Sequence, residues 1–149
     1  MKSLNTEILD EILEVLDSQR VAVLSTIESQ EPYSCLVSYY ATKGLESILF
    51  TTKRARRKYR NILQNPRVSL VIDTRSSEDF DLFGTTVISI MGPAIEYNGH
   101  DRTRYIDLLK AKHPYLSAFV SEDDTALILV KIEKLIIVDS FERVRSFEF

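Results

Sequence analysis

Six cations fall within eight positions of this chain: Lys53, Arg54, Arg56, Arg57, Lys58 and Arg60. Two hydroxyl residues, Thr51 and Thr52, stand immediately before them. An apolar run ends at these threonines and a helical pattern follows, so both groups meet at a strand-to-helix turn. Free backbone N–H groups and the positive end of the helix dipole favour an anion there. Guanidinium and ammonium groups add charge-assisted hydrogen bonds, and arginine supplies a planar fork suited to phosphate. The pattern predicts a phosphate site.

Composition narrows what the phosphate belongs to. The formal net charge is −3, which argues against a general nucleic-acid-binding domain, since those are usually basic. A local basic cluster on a mildly acidic protein suits a small anionic ligand better than a polyanion. The competing interpretation is a solvated helix face, as such charge runs often are. Tyr59, within the run, falls on the apolar stripe of the helix and is not needed for base stacking. The lone Cys35 permits no internal disulfide and fits a reducing, cytoplasmic setting. Two histidines and one cysteine far apart argue against structural zinc. No apolar run is long enough to span a bilayer, and the acidic, amphipathic first residues are unlike a signal peptide. With 149 residues, 44% of them apolar, one domain over 1–149 with a substantial core is expected.

The elements that must position the cluster can be placed by hydrophobic period. Residues 6–17 carry Ile8, Leu9, Ile12, Leu13, Val15 and Leu16 at helical spacing, with Asn5 or Thr6 able to cap them. Residues 21–26, 33–42 and 47–52 are predicted strands joined by turns at 29–32 and 43–44, an antiparallel meander. The helix over 55–64 has its apolar stripe at Ala55, Tyr59, Ile62 and Leu63, and Asn65-Pro66 ends it. Strands follow at 68–73 and 87–97, the latter with a bend expected at Gly92-Pro93. The polar, acidic segment between them, with Glu78, Asp79 and Asp81, is an expected exposed loop. Asp101 is a candidate cap for a helix running to about Lys112, which Pro114 stops. Further strands are expected at 125–132 and 135–138, and a short closing element at 141–149. About seven antiparallel strands with two or three flanking helices predict a β-dominated α+β fold, a small closed or split β-barrel.

The order of these segments resembles the pyridoxamine 5′-phosphate oxidase-like, FMN-binding split-barrel family. The most specific likeness is Thr51, Thr52, Arg57, Lys58, Asn61 and the run Asn65-Pro66-Arg67-Val68-Ser69-Leu70. The strand from Ile88 to Ala94, followed by a helix, matches the family's next landmark. The resemblance implies FMN held in a cleft between two subunits of a homodimer. It implies that Thr51 or Thr52, together with Arg57 and Lys58, holds the FMN phosphate, with Lys53 and Arg56 as helpers and Asn61 in the same pattern. Val37, Ser38 and Tyr39 would run along the isoalloxazine ring and offer backbone groups to its polar edge. Arg54 and Arg60 are assigned to the surface.

Departures from the family pattern limit the function. The arginine and lysine that flank the second strand in true pyridoxamine phosphate oxidases are replaced here by Cys35 and Tyr40. The chain has no tryptophan, so the residue that closes over the vitamin phosphate is missing. Vitamin B6 oxidation is therefore rejected. No Ser-His-Asp set, carboxylate pair or metal motif is present, which suits a protein whose cofactor carries the chemistry. The expectation is an FMN-dependent oxidoreductase that takes electrons from a reduced nicotinamide or a deazaflavin, with a small-molecule substrate. Alternatives are a flavin carrier or sensor without turnover, and a haem-binding or haem-degrading protein on the same barrel, with His100 and His113 as candidate ligands.

Overall fold

Alternation of inward and outward residues builds most of this molecule, and its barrel follows from which strand edges find partners. The computed structural model describes residues 4–76, 84–140 and 142–149. The expected acidic loop with Glu78, Asp79 and Asp81 lies outside the described residues. The elements run α1 (Thr6–Ser18), β1 (Val21–Glu28), β2 (Glu31–Ala41), β3 (Ser47–Lys53), α2 (Arg57–Gln64), β4 (Arg67–Asp73) and β5 (Val87–Glu96). They continue with α3 (Arg102–Lys112), a 3-10 turn (Pro114–Leu116), α4 (Ser117–Val120), β6 (Thr125–Lys131), β7 (Lys134–Asp139) and β8 (Arg143–Glu148). Among the described residues there are thus eight strands and four α-helices. The four-residue α4 has too few positions to show a helical period, and it was not expected.

Six strands close in the order β4-β1-β2-β3-β6-β5, with β4 pairing back to β5. All pairings are antiparallel, and β7 and β8 extend the sheet beyond β5. Inward residues such as Leu24, Tyr39, Phe50, Leu70, Ile90 and Ile128 are 0% exposed and fill one core. A second, smaller core lies outside the barrel wall, where Leu49 and Leu127 meet Ile106, Leu109 and Val120 from α3 and α4.

β5 is the corner of the barrel. The expected bend at Gly92-Pro93 is not a break, because the strand runs unbroken through both residues. Instead it changes partners there. Val87–Met91 pair with β7, whereas Ala94–Glu96 pair with β6. Gly92 allows this because the carbonyl oxygen of Lys131 lies 1.7 Å from where a Cβ would stand.

The helices are fastened by identifiable groups. The Asn5 side chain accepts from the Ile8 N–H at 2.9 Å and caps α1, as its residue type predicts. Ile12 and Leu16 bury against the barrel. Arg145, itself 6% exposed, donates to Glu11 of α1 at 2.7 Å and to Asp139 at 2.6 Å. Asp101, proposed as the cap of α3, makes no side-chain capping bond. No helix among the described residues is long and apolar enough to cross a membrane.

Candidate functional site

The cations are positioned by a split between two strands. β2 pairs with β3 only over Tyr39–Ala41 against Ile48–Phe50. Beyond that point β2 stays with β1 down to Glu31, while β3 stays with β6 out to Lys53. The β3-facing edge of β2 up to Ser38 therefore has no strand partner among the described residues, and its free backbone groups face the opening. α2 begins just past the end of β3, so its first turn lies across the gap.

A cleft of about 380 Å³ fills the split, within the roughly 300–1,000 Å³ usual for small-ligand sites. Its walls are Tyr33, Leu36, Val37 and Ser38 from β2, Thr51, Thr52 and Lys53 from β3, Arg56, Arg57 and Lys58 at the start of α2, and Leu116 and Phe119 from the segment after α3. Eight of the ten residues anticipated for the cofactor thus meet at one place. The other two have different side-chain roles. Tyr39 is 0% exposed, and its hydroxyl donates to the Leu16 carbonyl at 2.6 Å. Asn61 is 1% exposed and donates from Nδ2 to Thr26 Oγ1 at 3.0 Å, which ties α2 to β1 beneath the cleft. Of the two threonines, Thr52 is buried with its hydroxyl turned onto the Lys53 carbonyl, at 3.2 Å. The Thr51 hydroxyl makes no hydrogen bond among the described residues, so it is the one available to a ligand.

The six cations separate by partner. Arg54 makes a two-armed contact with Glu96 (3.0 and 3.1 Å) and Arg60 donates to the Ala55 carbonyl at 2.8 Å, so neither turns to the cleft. Lys53 pairs with Glu122 and, at 2.7 Å, with Asp124, and lies over the Phe119 ring. Burial alone would lower its pKa, but the bonds it donates to these two carboxylates outweigh that and raise it. Arg57 pairs with Glu28 at 2.9 Å, its guanidinium 4.5 Å from the centre of the Tyr33 ring. The side chains of Arg56 and Lys58 make no hydrogen bond or ion pair among the described residues.

The helix start sharpens this. Arg56 occupies the N-cap position of α2 with no side-chain capping bond, and no acidic residue stands in the first turn. Positive side chains at the positive end of a helix are mutually unfavourable. Both uncapped N–H groups and unpaired cations are relieved together by a bound anion.

Of the segment after α3, sequence reasoning named only His113, as a candidate haem ligand, and missed Tyr115, Leu116 and Phe119. His113 is 0% exposed, with Nε2 2.7 Å from the Tyr39 carbonyl oxygen and Nδ1 3.3 Å from Tyr115 Oη. Tyr115 Oη in turn lies 2.5 Å from Ser38 Oγ. Pro114 between the two rings, marking a forced turn, was the available signal. His100 is on the surface, its side chain 95% exposed. Neither Cys35 nor Tyr40 lines the cleft. Cys35 packs against the main core, where burial pushes its thiol pKa up, and Tyr40 packs with α3.

Two larger grooves, about 740 and 610 Å³, flank Phe149 on another part of the surface. The first is lined by strand residues and the segments adjoining them, and its Arg67 is paired with Glu133 at 2.7 Å. The second is mainly apolar. No helix start opens onto either, and the cation-lined cleft is the site with convergent polar groups.

Barrel and cleft together define a split-barrel protein with a cationic corner where two strands part. The chain belongs to the pyridoxamine 5′-phosphate oxidase family, whose model matches residues 8–139. No curated protein matches the sequence. Among solved structures, a haem-binding protein from Mycobacterium smegmatis is similar with a TM-score of 0.85 and 16% identity. That match covers 98% of this chain and 60% of the mycobacterial one, so this chain spans only part of that protein's length. General Stress Protein 26 from Bacillus anthracis has a TM-score of 0.73 and 19% identity, covering 97% of this chain and 100% of that one. HutZ, the haem storage protein from Vibrio cholerae, has a TM-score of 0.71 and 19% identity, covering 83% and 89%. Likenesses at these identities establish the shared fold.

Proposed function

We propose that this chain is an FMN-binding oxidoreductase whose cleft holds the FMN phosphate at the start of α2. The observation that carries this reading is the uncapped helix start occupied by Arg56, Arg57 and Lys58 beside the free hydroxyl of Thr51. Arg57 and Lys58 grip the phosphate, Thr51 donates a hydroxyl, and Lys53 and Arg56 supply further positive field. The unpaired edge of β2 at Val37 and Ser38 lies alongside the ring and offers it backbone groups. The Tyr39 carbonyl is already engaged by His113, so Tyr39 contributes through the wall it builds. Bound FMN supplies the electron chemistry, and the protein supplies binding and orientation. The working form is a homodimer with the cofactor between subunits, in the cytoplasm. It takes electrons from a reduced nicotinamide or deazaflavin and passes them to a small molecule. A non-catalytic flavin carrier is the same site without an acceptor. Vitamin B6 oxidation is disfavoured, because the chain has no tryptophan to close over the vitamin phosphate.

Haem is the second reading, favoured by the two haem-related proteins that share the fold. The histidines of this chain oppose it. Both ring nitrogens of His113 are engaged inside the protein, and His100 is on the surface away from the cleft.

The absorbance spectrum of the purified protein separates these readings. Flavin bands, with FMN released on denaturation, are expected. Arg57→Ala and Lys58→Ala should each weaken FMN by about tenfold to a hundredfold, the loss of one charge-assisted bond. A colourless protein that gains no FMN on titration overturns the proposal. A Soret band on haem addition, unchanged by either substitution, would replace it. Bleaching by reduced nicotinamide followed by reoxidation with an acceptor distinguishes enzyme from carrier.

A further inference from the structure

A chain of three side chains leads from the buried His113 to the cleft wall. The Tyr39 carbonyl oxygen can only accept, so the Nε2 of His113, 2.7 Å away, carries a hydrogen. In the neutral ring Nδ1 is then an acceptor. A buried acceptor left without a donor is costly, and the Tyr115 hydroxyl is the group within reach, at 3.3 Å. With its hydrogen committed to His113, Tyr115 must accept from the Ser38 hydroxyl at 2.5 Å. Ser38 has then spent its hydrogen, and only lone pairs remain for whatever enters the cleft.

We propose that His113 and Tyr115 act as positioning residues that fix the Ser38 hydroxyl as an acceptor, so the cleft selects a ligand presenting an N–H or O–H at that point. Under the FMN reading, on which the identity of the ligand rests, the imide N–H of the ring system is such a group. Protonating His113 reverses the chain. Nδ1–H donates to Tyr115, Tyr115 donates to Ser38, and Ser38 can turn its own hydrogen into the cleft. The groups that set this equilibrium are in place. Burial lowers the pKa of His113, the Tyr39 carbonyl opposes that, and the positive Lys112 and Arg20 lower it further. Lys112 is itself brought down to about 8 by burial, and it donates to the Leu16 carbonyl at 2.9 Å. His113 is therefore neutral at physiological pH, in the form that makes Ser38 an acceptor.

Two measurements test this separately from the flavin reading. Nitrogen NMR of the imidazole ring should show a neutral ring protonated at Nε2, with Tyr115→Phe shifting the Nδ1 resonance. A ring protonated at Nδ1, or one indifferent to Tyr115→Phe, overturns the relay whether or not FMN binds. FMN titration on either side of the His113 protonation followed by NMR should show wild-type affinity falling by roughly threefold to tenfold more than that of Tyr115→Phe as the ring protonates. Titration of the ligand phosphate contributes equally to both profiles. Parallel profiles overturn the selection role. Loss of FMN binding at every pH, in wild type as well, overturns the flavin reading and leaves the NMR outcome to decide the relay.

Discussion

The two edges of β3 are treated in opposite ways. On one edge all seven residues from Ser47 to Lys53 pair with β6, and the cation just past its end, Arg54, is held by Glu96. On the other edge only Ile48–Phe50 pair with β2, and the cations beyond it, Arg56 and Lys58, have no carboxylate among the described residues. The same basic run therefore stabilises the fold on its closed side, while on its open side Glu28 holds Arg57 and Arg56 and Lys58 stay unpaired among the described residues. Charge count does not distinguish the two roles, but the position of the partner does. A site can be located by asking which charges the fold leaves unpaired.

The largest test of the closed side is Gly92. Any side chain there meets the backbone of Lys131, and neither chain can yield without opening the corner where β5 passes from β7 to β6. Gly92→Ala is expected to cost about 3 kcal/mol or more, at the upper end of overpacking effects. Urea unfolding measures it, and a midpoint close to wild type would mean that the seam is not tight. Open-edge substitutions such as Arg57→Ala should leave that midpoint nearly unchanged.

Sequence and structure agree where a physical signal is local. Apolar runs bounded by turn residues located the strands, Asn5 capped its helix, and Asn65-Pro66 ended α2 where the proline requires. The clustering of Thr51 with Lys53, Arg56, Arg57 and Lys58 was also legible, because these residues are neighbours in the chain. What was not legible depends on residues far apart. Alternation places Tyr39 and Tyr40 on opposite faces but does not say which face is the core. Asn61 looks like a polar ligand until Thr26, thirty-five positions away, is seen beside it. The carboxylates that occupy Lys53 and Arg57 come from Glu122, Asp124 and Glu28, and no spacing rule links them.

Glu96 gives a smaller, pH-dependent test of the closed side. Its bonds from Arg54, opposed by burial and aided by Asn98 and Tyr59, bring its pKa from 4.5 down to about 2. A depressed carboxylate contributes stability that is fully present above its unfolded value and is lost as pH falls through the folded one. Stability should therefore drop between about pH 5 and pH 2, and solvent screening at the partly exposed Arg54 limits this share to about 1–2 kcal/mol. Glu96→Gln should remove that share of the slope. If wild type and variant lose stability in parallel through this range, the Arg54–Glu96 pair does not hold the closed edge.

The smallest expected effect is on the open side, and its sign is the most informative. Arg56 sits at the N-cap of α2 with no capping bond, so it works against the helix dipole in the ligand-free protein. Arg56→Asp places a good capping side chain there and reverses the charge. The ligand-free protein should gain about 0.3–1 kcal/mol in urea unfolding, while under the proposed FMN reading the affinity for FMN should fall, because the carboxylate would occupy the N–H groups proposed to hold the phosphate. Stability and affinity moving in opposite directions is the signature of a position selected for a ligand at the expense of the fold. Were Arg56→Asp to lower both, the arginine would be stabilising the helix start by itself, and the unsatisfied charge of the open edge would lose its meaning as a site.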